Sequence, residues 1–476
     1  MDQTGLFLIS IFVATFGKDK MEEKSSVMSK NITIVGAGLV GSLLSIYLAK
    51  RGYTVSIYER RPDLRKNRIS AGRSINLALS DRGWRGLEGV GIGDEIREVA
   101  IAMKGRMIHA LDGKLSFQPY GKEGQAIYSV SRGGLNCVLM DLAEKQGVQL
   151  FYNERCTNID IKTATAHFEN DTTQKKSSVT ASRIFSTDGA FSAGRLQLQL
   201  STDKFNYSQN YLEHGYKELT IPATANGDYI LEPNALHIWP RGHFMLIALP
   251  NMDKTFTCTL FFPFEGEPSF ASLDTKEKVS SFFKKTFPDI HSLMPTLEED
   301  FFSNPSPSLV TVKCFPWSNE EKFLLVGDAA HAIVPFFGQG MNCGFEDCVV
   351  LNQLMDEHNN DWQKIFTEFE SSRKPDTDAI ADLAVANFIE MRDKTADPKF
   401  LLQKKIEARF SEKYPQKWTP LYSMVTYSPH IRYSEALKEG MKQEAIMQKI
   451  MSLPGIEKNW DSEEVEKKIL EMLYKV

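Results

Sequence analysis

Three stretches of this chain hold residue types whose spacing suits nucleotide chemistry. The first is Gly36-Ala37-Gly38-Leu39-Val40-Gly41, preceded by the strand-like run Asn31 to Val35 and followed by a second apolar run, Thr54 to Tyr58, that closes on Glu59. In a βαβ unit of this form Gly36 permits a tight turn, Gly38 lets backbone N–H groups approach a pyrophosphate, and Gly41 lets helix and strand pack closely. The carboxylate can accept a ribose hydroxyl. A glycine turn without a ligand would not require strand, helix and acid together. The second stretch, Gly327-Asp328-Ala329-Ala330-His331, follows the apolar run Phe323 to Val326 and leads through Pro335 into Gly338-Gln339-Gly340-Met341-Asn342 and a helical pattern. A carboxylate at a strand end accepts hydrogen bonds from a polyol, and a free helix N-terminus offers N–H groups and partial positive charge. Together they suit a cofactor with a ribityl chain and a ring that becomes negative on reduction. The third stretch, Ser186 to Arg195, contains Asp188-Gly189 and lies between them.

The elements around these stretches predict an α/β protein: a Rossmann-like doubly wound domain, an inserted and mostly antiparallel sheet, and a helical C-terminal region. Helix and strand patterns alternate to about Glu154, including an amphipathic segment at Leu135–Ala143 and an extended one at Val148–Tyr152. From Phe205 to Phe264 the texture becomes aromatic-rich and extended, punctuated by Gly, Pro and Asn. The expected spans are an extension over 1–28, the nucleotide domain over 29–204 and 319–375, the sheet domain over 205–318, and a helical region over 376–476 that completes a substrate pocket.

At 476 residues the chain exceeds what one core usually serves. Its 56 basic and 61 acidic residues leave a net charge of −5, with no basic patch for nucleic acid. Six cysteines form no CxxC pair and nine histidines no HExxH, which argues against a disulfide scaffold or a metal site and fits a reducing, cytoplasmic setting. The apolar run Gly5 to Gly17 stops short of the ~20 residues that a membrane span needs. It carries Asp2 where a secretory signal carries Lys or Arg. We read it as a dispensable extension, with a weak membrane-surface anchor as the other reading, and expect no stable membrane association. The oligomeric state is not legible.

The pattern GDAAHxxxPxxGQGMN resembles the second flavin fingerprint of the class A flavoprotein aromatic hydroxylases. Ser186 to Arg195 resembles their DG motif, although Thr187 and Ala193-Gly194 depart from its usual form; in that class the motif touches flavin and reduced nicotinamide. Longer stretches resemble the kynurenine 3-monooxygenase family from Ile32 to Tyr433: Gly72 to Ser80, Arg106 to His109, Ser129 to Arg132, Leu236 to Arg241 and Pro420 to Thr426. The resemblance implies bound FAD, NADPH as co-substrate, and hydroxylation of L-kynurenine by O₂ through a flavin C4a-hydroperoxide. It puts Val40, Tyr58, Glu59, Arg60, Arg61, Ala78, Arg132, Asp328, Met341 and Asn342 on FAD, beside Gly36, Gly38, Gly41, Asp188 and Gly340 from the fingerprints. It puts Arg106, Tyr120, Asn387 and Tyr422 at the substrate's amino-acid end. The alternatives are a hydroxylase of another aromatic acid and a non-catalytic flavin-fold binding protein like the GDP-dissociation inhibitors.

Those four residues make chemical sense for such a substrate. Arg106 can grip a carboxylate bidentately, and two hydroxyls and an amide add donors and acceptors. Asn387 recurs with Ile380, Ala384 and Met391 at helical spacing, which sets its amide on an apolar face where it needs a partner. The plainer readings are an interhelical hydrogen bond for Asn387, a surface ion pair for Arg106 and amphipathic packing for the tyrosines. His331 follows a tight turn at a strand end, where a structural hydrogen bond is the commoner role. No residue is assigned as catalytic, because the implied cofactor carries the chemistry.

Overall fold

A computed structural model of the chain describes residues 30–66, 76–121, 124–391 and 397–475. The expected extension over 1–28 and the Gly72–Ile75 part of the family-like stretches lie outside the described residues.

The first layer is a six-stranded sheet in the order Ser318–Asn319, Phe323–Leu325, Arg183–Ser186, Asn31–Val35, Thr54–Glu59, Gln149–Tyr152. Every neighbouring pair is parallel except the outermost, Ser318–Asn319 against Phe323–Leu325. Central strands of such a sheet are covered on both faces and read as near-continuous apolar runs, as Ile32, Ile34 and Val35 do here. The expected helix and strand after Arg132 are found as Arg132–Lys145 and Gln149–Tyr152. An antiparallel meander, Glu154–Asp160, Thr165–Asn170 and Lys176–Thr180, is not foreseen by the helix–strand alternation.

The second layer is a seven-stranded sheet in the order Ser308–Phe315, Asn206–Ile221, Phe256–Pro263, Met245–Pro250, Ala235–Pro240, Gly105–His109, Leu115–Pro119. It is antiparallel but for one pair: Gly105–His109 lies parallel to Ala235–Ile238, with Arg106 opposite Leu236. The sheet therefore takes two strands from outside the expected 205–318 span. Parallel pairing needs a long connection, which the chain between them supplies. The pairing buries Ile108 with Ile238 in one apolar cluster.

That cluster joins the sheet to the C-terminal helices through Ile380, Ala384, Met424 and Val425, and it includes Phe336 and Phe337 of the Gly327–Asn342 region. The long helix Trp362–Ile389 runs straight through the expected boundary at 375/376, with Pro375 inside it. Helices Pro398–Lys413, Leu421–Thr426, Tyr433–Met451 and Glu463–Lys475 follow. Among the described residues no helix is long and apolar enough to cross a membrane.

Strand alternation puts Arg106 and Ile108 on one face of the seven-stranded sheet and His109 on the other. On that far face His109 Nε2 lies 2.9 Å from His237 Nδ1, and His109 Nδ1 lies 2.9 Å from Asp289 Oδ2. Trp239 stacks on His109 at 4.0 Å and donates its Nε1–H to the same carboxylate at 2.8 Å. Burial holds His237 down at about 4, so the ring is neutral in the folded protein at pH 7. An unfolded histidine titrates near 6.5, so between these values the unfolded chain binds more protons and stability falls as the pH drops. A depression of this size corresponds to about 3 kcal/mol lost between pH 7 and pH 4. We expect His237→Gln to remove most of this part of the acid slope, read as urea midpoints of parent and variant across that range; identical slopes would contradict the assignment.

Candidate active site

Strand Asn31–Val35 ends at Gly36, whose φ is +100° and where an added Cβ would lie 2.8 Å from the Thr187 carbonyl oxygen. At Gly41 a Cβ would collide with the Gly36 carbonyl oxygen and Thr187 Oγ1. Thr187, the departure from the usual DG motif, donates its hydroxyl to the carbonyls of Val35, at 3.0 Å, and Gly36, at 2.8 Å. Gly38 differs: nothing lies within 4 Å of where its Cβ would be, and it opens the helix Leu39–Lys50 without a side-chain cap. Open space before unsatisfied helix N–H groups is what a pyrophosphate needs.

Glu59 is buried at the end of the next strand and accepts from Ala37 N at 2.8 Å and from Arg61 N and Nε at 2.9 and 2.7 Å. Burial raises its proton affinity, but the Arg61 side chain and these N–H donors overcome it and hold the carboxyl below its usual range. Three acceptor positions are used out of about four, leaving room for a ribose hydroxyl. Tyr58 is stacked between Phe151 and Phe168 at 4.7 and 4.2 Å. Arg60, Arg61 and Arg132 are exposed, and Arg132 opens the helix Arg132–Lys145.

Asp328 lies across from this cradle, after the Phe323–Leu325 strand. Among the described residues its carboxylate makes no hydrogen bond or ion pair and is partly buried, as an acceptor awaiting a polyol would be. Val40 ties the two fingerprints together: a Cβ on Gly327 would lie 3.2 Å from its side chain, and one on Gly344 would lie 2.5 Å from it. Gly338, with φ +65°, backs onto Ala78 Cβ. Helix Gly340–Glu357 then starts without a side-chain cap, so the N–H groups of Gly340 and Met341 are free of intrahelical partners.

Two expected cofactor residues have their side chains engaged elsewhere. Asn342 donates to the carbonyls of Ala78, at 2.9 Å, and Gly338, at 2.7 Å, and accepts from Ser80 N at 3.0 Å. Asp188 accepts from Ser186 Oγ and Ser192 Oγ and from the N–H groups of Ala193 and Gly194, capping its own motif. What these positions offer a flavin is backbone.

Arg106, Tyr120 and Tyr422 converge from three elements. The guanidinium carbon lies 5.4 Å from the Tyr120 ring and 4.7 Å from the Tyr422 ring, and the two rings stack at 5.3 Å and 11°. Arg106 makes no ion pair among the described residues, its Nε is buried without a hydrogen bond, and the buried Tyr120 hydroxyl makes none within 3.5 Å although it is near enough to Arg106 and Tyr422 to interact with both. Burial opposes its charge, but Tyr120, Tyr422 and Glu390 more than offset this and raise its proton affinity. Arg106 is half-buried, with its Nε in the interior, and a partly desolvated cation without an ion-pair partner among the described residues favours an anion beside it. Phe337, next to Gly338, stacks on Tyr422 at 5.6 Å, so the polar cluster abuts the flavin-side loop.

Asn387 stands apart from the other three: its amide donates to the Phe336 carbonyl at 2.6 Å, bracing that loop. The residues that sequence reasoning passes over are Phe337 and Tyr427. Tyr427 packs with Tyr120, Met103, Ile127 and Leu249, and its hydroxyl is also buried without a partner. A second tyrosine five positions after Tyr422, in the mixed run Ser423 to Ser428, is the available signal.

His331 is spent on an ion pair, with Nε2 2.6 Å from Asp347 Oδ2. Burial disfavours its charge, but Asp347 overrides it and raises the imidazole to about 10. His331, Cys343 and Asp347 are close enough to ligate a metal. Arg373 already fills the place of a cation, with Nη2 3.3 Å from Cys343 Sγ and Nε 2.8 Å from Asp347 Oδ1.

Comparison with known proteins agrees with this geometry. Residues 29–383 match the family model for an FAD binding domain. Kynurenine 3-monooxygenase of Flavobacterium psychrophilum is 55% identical over 445 residues, covering 94% of this chain and 99% of that protein. The same enzyme of Dictyostelium discoideum is 45% identical, covering 89% and 94%, and that of Sus scrofa is 44% identical, covering 89% of each. Among solved structures, the tetrameric form of 2-methyl-3-hydroxypyridine-5-carboxylic acid oxygenase superposes with a TM-score of 0.64 at 20% identity, covering 78% of this chain and 94% of that one. Tetracycline destructase Tet(51) superposes with a TM-score of 0.58 at 17% identity, covering 85% and 98%. These likenesses concern the fold, whereas identity at this level over nearly the whole length decides membership: the chain belongs to the kynurenine 3-monooxygenase family.

Proposed function

We infer that this chain hydroxylates L-kynurenine to 3-hydroxykynurenine, with FAD bound and with NADPH and O₂ as co-substrates. The observation that carries the substrate reading is the half-buried Arg106, without an ion-pair partner among the described residues and walled by two stacked tyrosines next to the loop that continues into the second fingerprint. When bound, FAD supplies the centre that NADPH reduces and at which O₂ is activated.

The chain's own residues bind, orient and exclude water. Gly36 and Gly41 keep the first turn tight, and Gly38 with the N–H groups behind it receives the pyrophosphate. Glu59 and Asp328 would take the ribose and ribityl hydroxyls, and the N–H groups at Gly340 and Met341 would stabilise the negative charge the cofactor gains on reduction. Arg106 takes the substrate carboxylate, with the Tyr120 and Tyr422 hydroxyls beside it. The aminophenyl ketone extends from there past Phe337 among apolar neighbours of the same cluster, Ala78, Leu236 and Ile247. Its ring is already activated by its own amino group, so fixing its position and keeping the cavity dry are the protein's tasks. Asn387 serves this pocket through the Phe336 carbonyl. We assign the protein to the cytoplasm, a reading supported by six free thiols.

Oxygen uptake with NADPH, with and without L-kynurenine, tests the activity: uptake should be stimulated by L-kynurenine, with 3-hydroxykynurenine as the product. Asp328→Ala should purify with little FAD, since ribityl hydroxyls would lose a charged acceptor worth about 1.5 to 3 kcal/mol; full flavin occupancy at micromolar protein would remove Asp328 from the site. Arg106→Lys keeps the charge but loses the planar fork, so titration of the oxidised flavin absorbance with L-kynurenine should show substantially weaker binding, and Arg106→Ala weaker still. FAD content should be normal in both variants. An Arg106→Ala protein that binds L-kynurenine as tightly as the parent would place the carboxylate elsewhere.

A further inference from the structure

Among the described residues three buried polar atoms in one small region make no hydrogen bond within 3.5 Å: Arg106 Nε, Tyr120 Oη and Tyr427 Oη. Of these, Tyr120 is still close enough to Arg106 and Tyr422 to interact with both side chains, whereas Tyr427 Oη is left over. Buried hydroxyls are normally paired, and a group left over in a native fold calls for a partner that the protein itself does not supply. The third atom belongs with the other two. Tyr427 shares an apolar cluster with Tyr120, and its ring lies edge-on to Tyr422 at 6.1 Å and 70°. Electrostatically its hydroxyl is in reach of Tyr422, Tyr120, Asp81 and Arg106.

The position of Tyr427 is set from the nucleotide side of the molecule. Arg82, buried in the helix Asp81–Glu88, donates Nε to the Val425 carbonyl at 2.8 Å and its terminal nitrogens to the carbonyls of Met424, Ser428 and Ile431. The Tyr427 N–H is spent on the Ser423 carbonyl at 2.9 Å. These bonds fix the backbone on both sides of Tyr427 and use none of its hydroxyl capacity. Burial, then Tyr422, Tyr120 and Asp81, all oppose ionisation of that hydroxyl, so it remains a neutral oxygen able to accept.

A 2-amino acid carries an ammonium one carbon from its carboxylate. With the carboxylate on Arg106, the ammonium brings three N–H donors into a region where the Tyr427 oxygen is an unmatched acceptor among the described residues. Asn387 is oriented by its Nδ2 donating to the Phe336 carbonyl, which leaves its Oδ1 as a second acceptor that Tyr427 would complement. We propose that Tyr427 is a further substrate ligand, its hydroxyl oxygen accepting a hydrogen bond from the α-ammonium group of the amino acid bound at Arg106. Tyr427 thereby selects amino acids over plain aromatic acids of the same length. This rests on the carboxylate reading of Arg106.

The test uses the full-length, FAD-loaded protein and two ligands: L-kynurenine and 4-(2-aminophenyl)-4-oxobutanoate, which has hydrogen in place of the ammonium. Tyr427→Phe keeps the ring and its packing, and FAD content and melting temperature check that the fold is kept. Titrated by flavin absorbance, this variant should bind L-kynurenine ~10- to 100-fold more weakly, as for a charge-assisted bond left unmade, and bind the deaminated analogue as the parent does. Unchanged affinity for L-kynurenine, or an equal loss for both ligands, overturns the proposal. Arg106→Ala separates the two layers: it should weaken both ligands, since both carry the carboxylate. If it weakens neither, the substrate orientation itself is wrong and the proposal falls with it. If it weakens both while Tyr427→Phe changes nothing, only the role of Tyr427 is lost.

Discussion

A chain of buried charges runs beneath the flavin-side loop and fastens five elements to one another. Arg82 meets Glu346 Oε1 at 2.5 Å, and Arg373 meets Glu346 Oε2 at 2.6 Å and Asp347 Oδ1 at 2.8 Å. Asp347 continues to His331 and to the Gly327 N–H. Asp376, one turn beyond Arg373, holds Arg432 and Ser434. Arg82 also lies over the Tyr433 ring at 3.9 Å, and the Tyr433 hydroxyl donates to Gln339 Oε1 at 2.8 Å. Charges this deep gain little over well-packed apolar groups, but removing one partner strands the rest and typically costs about 3 to 5 kcal/mol. Their effect is one of registration. The helices Asp81–Glu88, Gly340–Glu357, Trp362–Ile389 and Tyr433–Met451 and the turn at Asp328–His331 satisfy these groups together in one arrangement.

The segment Pro335–Gly340 is what this arrangement holds still. Asn342 grips the Gly338 carbonyl, Asn387 the Phe336 carbonyl and Tyr433 the Gln339 side chain, each from a different helix. One side of the segment continues into a free helix N-terminus, and the other presents Phe337 to Tyr422. The proposed cofactor and substrate positions are thus referred to the same few backbone atoms. A shift that moved one would move the other with it, which suits chemistry that needs two reacting groups at a fixed separation.

What could be read from the sequence divides by the range of the interactions involved. The cradle at Gly36, Gly38, Gly41 and Glu59 is legible because turn, approach and strand-end acid are local demands on the backbone, and the strand before Gly327 is legible for the same reason. Helical spacing alone sets Asn387 on a buried face, but it could not show that the amide turns to the Phe336 carbonyl, 51 positions away. Asp188 and Asn342 illustrate the opposite difficulty. Their motifs point to a cofactor, while their side chains are consumed by neighbours within the loop or, for Asn342, by Ser80, which is 262 positions distant. The Gly105–His109 strand joins the second sheet from outside the span expected for it, because nothing within the strand encodes a parallel partner beyond residue 230. Tyr427 is not legible because a tyrosine among Ser423, Met424, Val425 and Thr426 reads as packing, and what sets it apart is that its buried hydroxyl has no partner among the described residues.

The parallel pairing of Gly105–His109 with Ala235–Ile238 also sets an order of events during synthesis. As the chain leaves the ribosome, the Arg106 strand emerges long before the strand it must lie beside, and the Tyr422–Tyr433 segment that closes the cluster comes later still. Non-local pairing of this kind is slow, and its unpaired edges are exposed in the meantime. The first nucleotide-binding turn needs only its neighbouring strands and the Arg183–Ser186 strand, all made by then. A nascent chain can therefore complete its dinucleotide cradle while the substrate cavity has as yet no walls, and a protein cut short before Tyr422 would carry the first without ever acquiring the second.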